Sequence, residues 1–163
     1  MTWAAIVILS LVTLQRLAEL WLSNRNTRQL LGRGAVEAGR SHYPLLVALH
    51  VAWLAALWWW APGQPINWLL IALFALLQIA RVWVIATLGG RWTTRIIVLP
   101  GAPLVRSGIY RFVDHPNYLI VALEIALLPL AFGLAGTALT FSILNAAILT
   151  IRIRAENQAL AHA

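Results

Sequence analysis

Apolar residues run through this chain in stretches too long for the core elements of a soluble domain, and its polar residues are bunched between them. Five such stretches stand out, at 2–22, 43–61, 66–87, 117–133 and 137–153. Each is close to the length a helix needs to cross a bilayer, or somewhat short of it. Between the second and third lies Ala61-Pro62-Gly63-Gln64-Pro65, and between the fourth and fifth Gly133-Leu134-Ala135-Gly136; both read as tight turns. Two polar segments are longer. Residues 23–42 carry Arg25, Arg28, Arg33 and Arg40, and residues 88–116 carry Arg91, Arg95, Arg106 and Arg111 around Pro100-Gly101-Ala102-Pro103. The second of these, opened by Gly89-Gly90, predicts irregular or short extended structure and not helix.

The pattern therefore predicts one all-α integral membrane domain of five transmembrane helices, and composition agrees. Of 163 residues, 61% are hydrophobic and 10% charged, which is outside the range of soluble domains. No basic stretch precedes the first span and no small-residue cleavage pattern follows it, so a retained helix is expected. Of the nine Trp, Trp3, Trp58, Trp59, Trp60 and Trp68 group toward one interface and Trp21, Trp83 and Trp92 toward the other, leaving Trp53 for internal packing.

Charge then orients the helices. If the spans alternate, every arginine falls in 23–42, in 88–116, in the C-terminal tail or in a half-span beside them. The positive-inside rule makes that face cytoplasmic and puts the N-terminus outside. The net charge of +7 is thereby a topology signal touching membrane lipid headgroups, and no soluble basic surface remains to bind nucleic acid. The absence of cysteine removes disulfides and thiolate chemistry. His42 and His50 lie two helical turns apart without a third ligand, so no metal site is expected.

Polar groups capable of directed chemistry concentrate in Gly108-Ile109-Tyr110-Arg111-Phe112-Val113-Asp114-His115-Pro116-Asn117-Tyr118. Pro116 suits the first turn of a helix, with Asp114 or His115 at the cap. The free N–H groups of that turn, with Arg111 upstream, make a site for an anionic ligand group. The short turn between spans four and five predicts an antiparallel hairpin. Such a hairpin sets His115, Asn117 and Tyr118 beside Arg152, Glu156 and Asn157.

These residues resemble the isoprenylcysteine carboxyl methyltransferase family and, more widely, the membrane methyltransferases that include phospholipid N-methyltransferases. The matching residues are Leu88-Gly89-x-x-Trp92, Leu104-Val105-x-x-Gly108-x-Tyr110-Arg111, His115-Pro116-Asn117-Tyr118 and Arg152-Ile153-x-x-Glu156-Asn157-x-x-Leu160. In the first half, Arg16-Leu-x-Glu19, Ser23-x-Arg25-Asn26, Gly34-Ala35-x-Glu37 and His42-Tyr43-Pro44 look like a bacterial branch associated with O-methylation of alkylpyrones. The resemblance implies S-adenosylmethionine bound at the cytoplasmic end of the last hairpin and a lipophilic small-molecule substrate entering from the bilayer. It implies a cofactor pocket of Tyr110, His115, Pro116, Asn117, Tyr118, Arg152, Glu156 and Asn157. The family often has Arg where this chain has Asp114 and Glu where it has Asn157, which leaves Arg111 to face the cofactor carboxylate.

Methyl transfer from a sulfonium needs alignment and exclusion of water more than strong acid-base chemistry. The candidates for direct chemistry are His115 and Glu124 as proton acceptors and Arg111 or Arg152 as a clamp on an anionic oxygen. Glu124 has a second reading, as a structural partner of Arg16 or Arg81 inside the membrane. Arg16 and Arg81 can equally snorkel, and Tyr118 can serve an aromatic belt. Three functions compete: O-methylation of an amphiphile such as an alkylpyrone, methylation of a prenylcysteine carboxylate or phospholipid amine, and a small transporter or membrane subunit. A transporter predicts repeats or polar groups spread over several spans; here they gather at one face.

Overall fold

In the computed structural model, residues 2–161 are described. The chain forms helices α1 (Thr2–Gly32), α2 (Tyr43–Trp60), α3 (Trp68–Leu88), α4 (Pro116–Ala131) and α5 (Ala135–Ala161), with strands β1 (Val36–Ala38) and β2 (Ile96–Val98). Helices α1, α2, α3 and α5 are long and apolar enough to cross a membrane, and α4 is a shorter apolar helix. The molecule is a multi-pass membrane protein. Leu14, Leu17, Leu69, Leu76, Ile79, Val82, Leu139 and Ile143 lie exposed on its flanks, as hydrocarbon solvent allows and water does not.

The 16 residues of α4 give roughly 24 Å of helix, yet its two ends are tied to the ends of α3. The Asn67 N–H, just before α3, donates to the Ala131 carbonyl at the end of α4 (2.8 Å). At the other end a short 3-10 turn, Gly108–Arg111, packs on α3 ahead of Pro116. Helix α4 lies between α3 and α5, and the turn through Gly133, whose φ is +71°, folds α5 back against it. The core is Leu9, Trp53, Leu57, Ile125, Leu128 and Phe132, all at most 1% exposed. The Trp53 indole N–H donates to the Ile125 carbonyl (3.2 Å), which spares it an unmet donor in an apolar interior.

Three features differ from the sequence expectation. Helix α1 continues to Gly32, well past 22, because polar residues in its last turns bond to the segment after α3. Asn26 donates to the carbonyls of Gly89 and Trp92 (3.2 and 2.8 Å), and Ser23 Oγ accepts from the Thr94 N–H (2.8 Å). Those bonds draw Trp92 inward to 1% exposure beside Val84 and Ile120, so it is a packing residue and not an interfacial one. Finally, the two polar segments contain an antiparallel pair, with Glu37 opposite Ile97, a small exception to an all-α architecture.

Candidate functional site

The polar segments, the start of α4 and the end of α5 enclose an open cleft, about 560 Å³ including the solvent at its mouth. Tyr110, His115, Asn117, Tyr118, Arg152 and Glu156 all line it. Residues from the two arms of the hairpin thus face one space. His115 is the residue before α4, with Pro116 at the first helical position, where proline's fixed φ and missing N–H cost nothing. Its ring stacks on Tyr118 (centroids 5.5 Å apart), and its Nδ1 stands 3.8 Å from Glu156 Oε2. The Arg152 guanidinium lies 5.8 Å over the Tyr118 ring and donates through Nη2 to the Thr94 carbonyl (2.8 Å).

Several buried polar atoms here lack partners: Asn117 Oδ1, Glu156 Oε2, Arg152 Nε and Trp92 Nε1. Such groups are costly unless something bonds to them. Together they offer two acceptors and two donors, with Arg91, Arg95 and Arg152 set against Asp114 and Glu156 around the cleft. A zwitterionic ligand with hydroxyl and amine hydrogens matches that set. Burial, followed by the negative charge of Glu156, pushes the Tyr110 phenol up to about 12, so it remains a hydrogen-bond donor at any physiological pH.

Four of the singled-out residues lie elsewhere. Arg111 is exposed, 5.9 Å from the Phe112 ring, and does not line the cleft. Asn157 is exposed outside the lining, and Pro116 is buried in the first turn of α4. Glu124 is 1% exposed and locked in ion pairs deeper in the bundle. Conversely, Arg91, Thr93, Arg95 and Ile96 line the cleft without having been singled out. They sit in a stretch whose composition signals only irregularity. The segment is held to the one after α1 by Arg95, whose Nη1 lies 2.7 Å from Glu37 Oε1.

A second cavity, about 940 Å³ including its open side, lies deeper. Its wall is largely apolar and comes mainly from α1 and α2, with Leu17, Leu20, Leu46, Val47, Val51 and Leu54. Leu17 and Val51 are also exposed on the outer flank, so the cavity opens sideways between α1 and α2. Asn117, Tyr118 and Arg152 line both cavities. The polar cleft and the apolar chamber therefore share a wall.

Polar groups beside the chamber occupy two levels. At the upper one, Thr94 Oγ1 meets Ser23 Oγ (2.8 Å) and the Tyr43 hydroxyl (3.0 Å), next to Arg152. Seven residues deeper, which is about 10 Å of helix, Arg16 and Arg81 meet Glu19 and Glu124. Arg81 bonds Glu19 through Nε and Nη2 (2.5 and 2.6 Å) and Glu124 through Nη1 (3.1 Å). Arg16 reaches Glu19 and Glu124 at 3.0 and 2.7 Å, and Gln78 donates to Glu124 at 2.8 Å. Two positive and two negative groups close on one another, which is how charge survives inside a membrane.

The family model described as the isoprenylcysteine carboxyl methyltransferase family matches residues 69–162. The chain is 40% identical to Uncharacterized protein YpbQ of Bacillus subtilis (strain 168) over 165 residues, covering 98% of this chain and 96% of that protein. It is 31% identical to an uncharacterized protein of Haemophilus influenzae (strain ATCC 51907 / DSM 11121 / KW20 / Rd) over 155 residues, covering 90% and 89%. No solved structure gives a significant match.

Proposed function

Because this chain belongs to the isoprenylcysteine carboxyl methyltransferase family, a family of membrane methyltransferases, we propose that it is an S-adenosylmethionine-dependent O-methyltransferase. Its acceptor is an acidic lipophilic small molecule, with alkylpyrone-type polyketides the favoured class. The observation that carries this reading is the shared wall at Asn117, Tyr118 and Arg152 between a polar cleft and an apolar chamber. Methyltransferases of this family generally use S-adenosylmethionine, which supplies an electrophilic methyl group on a sulfonium.

This chain's own residues do the rest by placement. Glu156 Oε2 and Asn117 Oδ1, neither with a hydrogen-bond partner among the described residues, accept from hydroxyl or amine hydrogens of the donor molecule, and Tyr110 offers a phenol O–H. Arg91 and Arg95 on the cleft wall take the role expected of Arg111 toward a carboxylate. The acceptor enters sideways between α1 and α2 and lies in the chamber with its oxygen at the shared wall. There Arg152 neutralises the oxygen and the apolar lining excludes water. An acidic enol or carboxylic acid arrives ionised, so a strong base is not required; His115 takes a remaining proton. S-adenosylmethionine held by the cleft residues would supply the methyl group to that oxygen and leave as neutral S-adenosylhomocysteine. Glu124, held by Arg16, Arg81 and Gln78, positions α1, α3 and α4 in this scheme. The site faces the cytoplasm of a bacterial membrane, with the N-terminus outside.

Binding of S-adenosylhomocysteine to the detergent-solubilised protein tests the cleft. His115→Ala and Glu156→Ala are each expected to weaken it about tenfold or more, whereas unchanged affinity in both excludes this pocket. Radiolabelled methyl transfer to extracted lipids, compared with a prenylcysteine analogue and phosphatidylethanolamine, then identifies the acceptor class.

A further inference from the structure

Among the polar side chains that line the apolar chamber, His50 lies level with the ion-pair network without belonging to it. His50, in the second turn of α2, lines the chamber. Its Nδ1 stands 2.8 Å from the Leu46 carbonyl. A carbonyl can only accept, so Nδ1 carries the hydrogen and Nε2 keeps a lone pair. The bond to Leu46 is made by Nδ1 alone, so Nε2 is left to face the chamber that His50 lines.

The same level holds an unmet group. Arg16 bonds its carboxylates through Nη1 and Nη2, and its buried Nε–H has no acceptor. Arg16 also lines the chamber and is a charged neighbour of His50. An exposed imidazole lone pair amid Leu46, Val47, Val51 and Leu54 is an uncompensated cost in a chamber filled by hydrocarbon alone. It becomes an advantage if the occupant carries a donor.

The depth of that donor follows from helix geometry. His50 lies seven residues from Tyr43 on α2, and Arg16 seven from Ser23 on α1. Tyr43 and Ser23 both bond to Thr94, whose carbonyl receives Arg152 of the shared wall. Both helices therefore place the second polar level about 10 Å below the transfer point.

We infer that the deeper level is a recognition subsite for the methyl acceptor, with His50 Nε2 accepting a hydrogen bond from a hydroxyl or N–H about 10 Å from the oxygen that is methylated. The inference rests on the acceptor lying in the chamber as proposed above. It narrows the substrate class to amphiphiles with a second, donating polar group part-way along the body. It sets plain prenyl chains at a disadvantage, because a site built to bond a polar group is left unmet by an analogue without one.

The test uses long-chain fatty acids as probes: the unsubstituted acid and isomers with one hydroxyl moved stepwise along the chain. Each is titrated into the detergent-solubilised full-length protein with S-adenosylhomocysteine present. One mid-chain isomer is expected to bind about three- to tenfold tighter than the unsubstituted acid. His50→Phe keeps a ring without the lone pair; it should abolish that preference, read as the ratio of the isomer's affinity to that of the unsubstituted acid in the same variant. His50→Gln, which restores an acceptor, should recover part of it. If no isomer exceeds the unsubstituted acid, or the preference survives in His50→Phe, the inference is wrong. Should His50→Phe not fold, His50→Leu carries the same readout. Failure of S-adenosylhomocysteine to bind the wild-type protein defeats the methyl-donor reading instead, and leaves a hydroxyl preference standing as evidence of the subsite.

Discussion

Tyr110 shows how one side chain's surroundings decide what it can do. It is held in a short 3-10 turn against the cleft, where burial and the Glu156 carboxylate both disfavour its ionised form. A raised acid pKa in the folded state means the native protein holds this proton longer than the unfolded chain does. The associated stability is therefore fully present below the ordinary value of 10.0 and is lost as pH rises toward about 12. Tyrosinate absorbance, compared between wild type and Tyr110→Phe, should show one tyrosine fewer ionising near 12 and no difference near 10. Loss of a transition near 10 would place Tyr110 in water. Removing the Glu156 charge by Glu156→Gln should bring the Tyr110 transition down, since one of its two causes is gone.

At the scale of elements, the ion-pair cluster is what fastens α1 to α3 and α4 across an interface otherwise made of aliphatic side chains. Glu124 is the member that ties α4 into the cluster, because it answers Arg16, Arg81 and Gln78 at once. Glu124→Ala leaves two guanidiniums facing a single carboxylate inside the bundle. Breaking a buried pair in this way costs about 3–5 kcal/mol, so a large fall in the thermal unfolding midpoint of the solubilised protein is expected. A change below about 1 kcal/mol would reduce the cluster to the weight of surface pairs. Gly108 fastens the other side of the cleft. Its φ is +56°, and a Cβ there would stand 2.8 Å from Thr87 Oγ1 on α3, so Gly108→Ala combines left-handed strain of about 1–2 kcal/mol with a steric conflict. It should weaken S-adenosylhomocysteine binding by displacing Tyr110, which calorimetry on the folded variant measures.

These elements also mark how far the sequence could be read. Hydropathy alone locates the apolar helices, and the turn at Gly133 makes the hairpin legible, so His115, Tyr118, Arg152 and Glu156 meet as their spacing implies. Glu124 announces itself as a carboxylate in an apolar run, but whether it pairs or reacts depends on helix rotations that periodicity does not encode in helices apolar all round. The last turns of α1 were hidden for a related reason. Ser23, Asn26 and Thr27 resemble loop residues until Gly89, Trp92 and Thr94 arrive from 60 or more residues away to bond two of them. Nearness in sequence to the motif does not fix nearness in space: the 3-10 turn sets Tyr110 in the cleft lining and leaves Arg111 exposed outside it.

For the molecule as a whole, the decisive question is whether the polar segments share one side of the membrane, because the cleft is assembled from 88–98, 110–118 and 152–156 together. Five crossings require the turn at 61–67 to lie opposite the segment at 89–115. The Asn67 to Ala131 hydrogen bond already sets the turn before α3 level with the far end of α4, so α4 covers the depth of α3 despite its length. The arginine distribution predicts a cytoplasmic position for 89–115, the orientation proposed above. The cysteine-free chain lends itself to a direct measurement with single substitutions at two exposed positions, Gln64→Cys in the turn and Ser107→Cys in the polar segment. In intact cells a membrane-impermeant maleimide should label Gln64→Cys alone, and Ser107→Cys should react only after permeabilisation. The reverse pattern would invert the molecule and put the cleft on a side where no S-adenosylmethionine is made. Labelling of both from one side would remove a crossing, separate the two arms of the hairpin, and leave Tyr118 and Glu156 unable to face a single ligand.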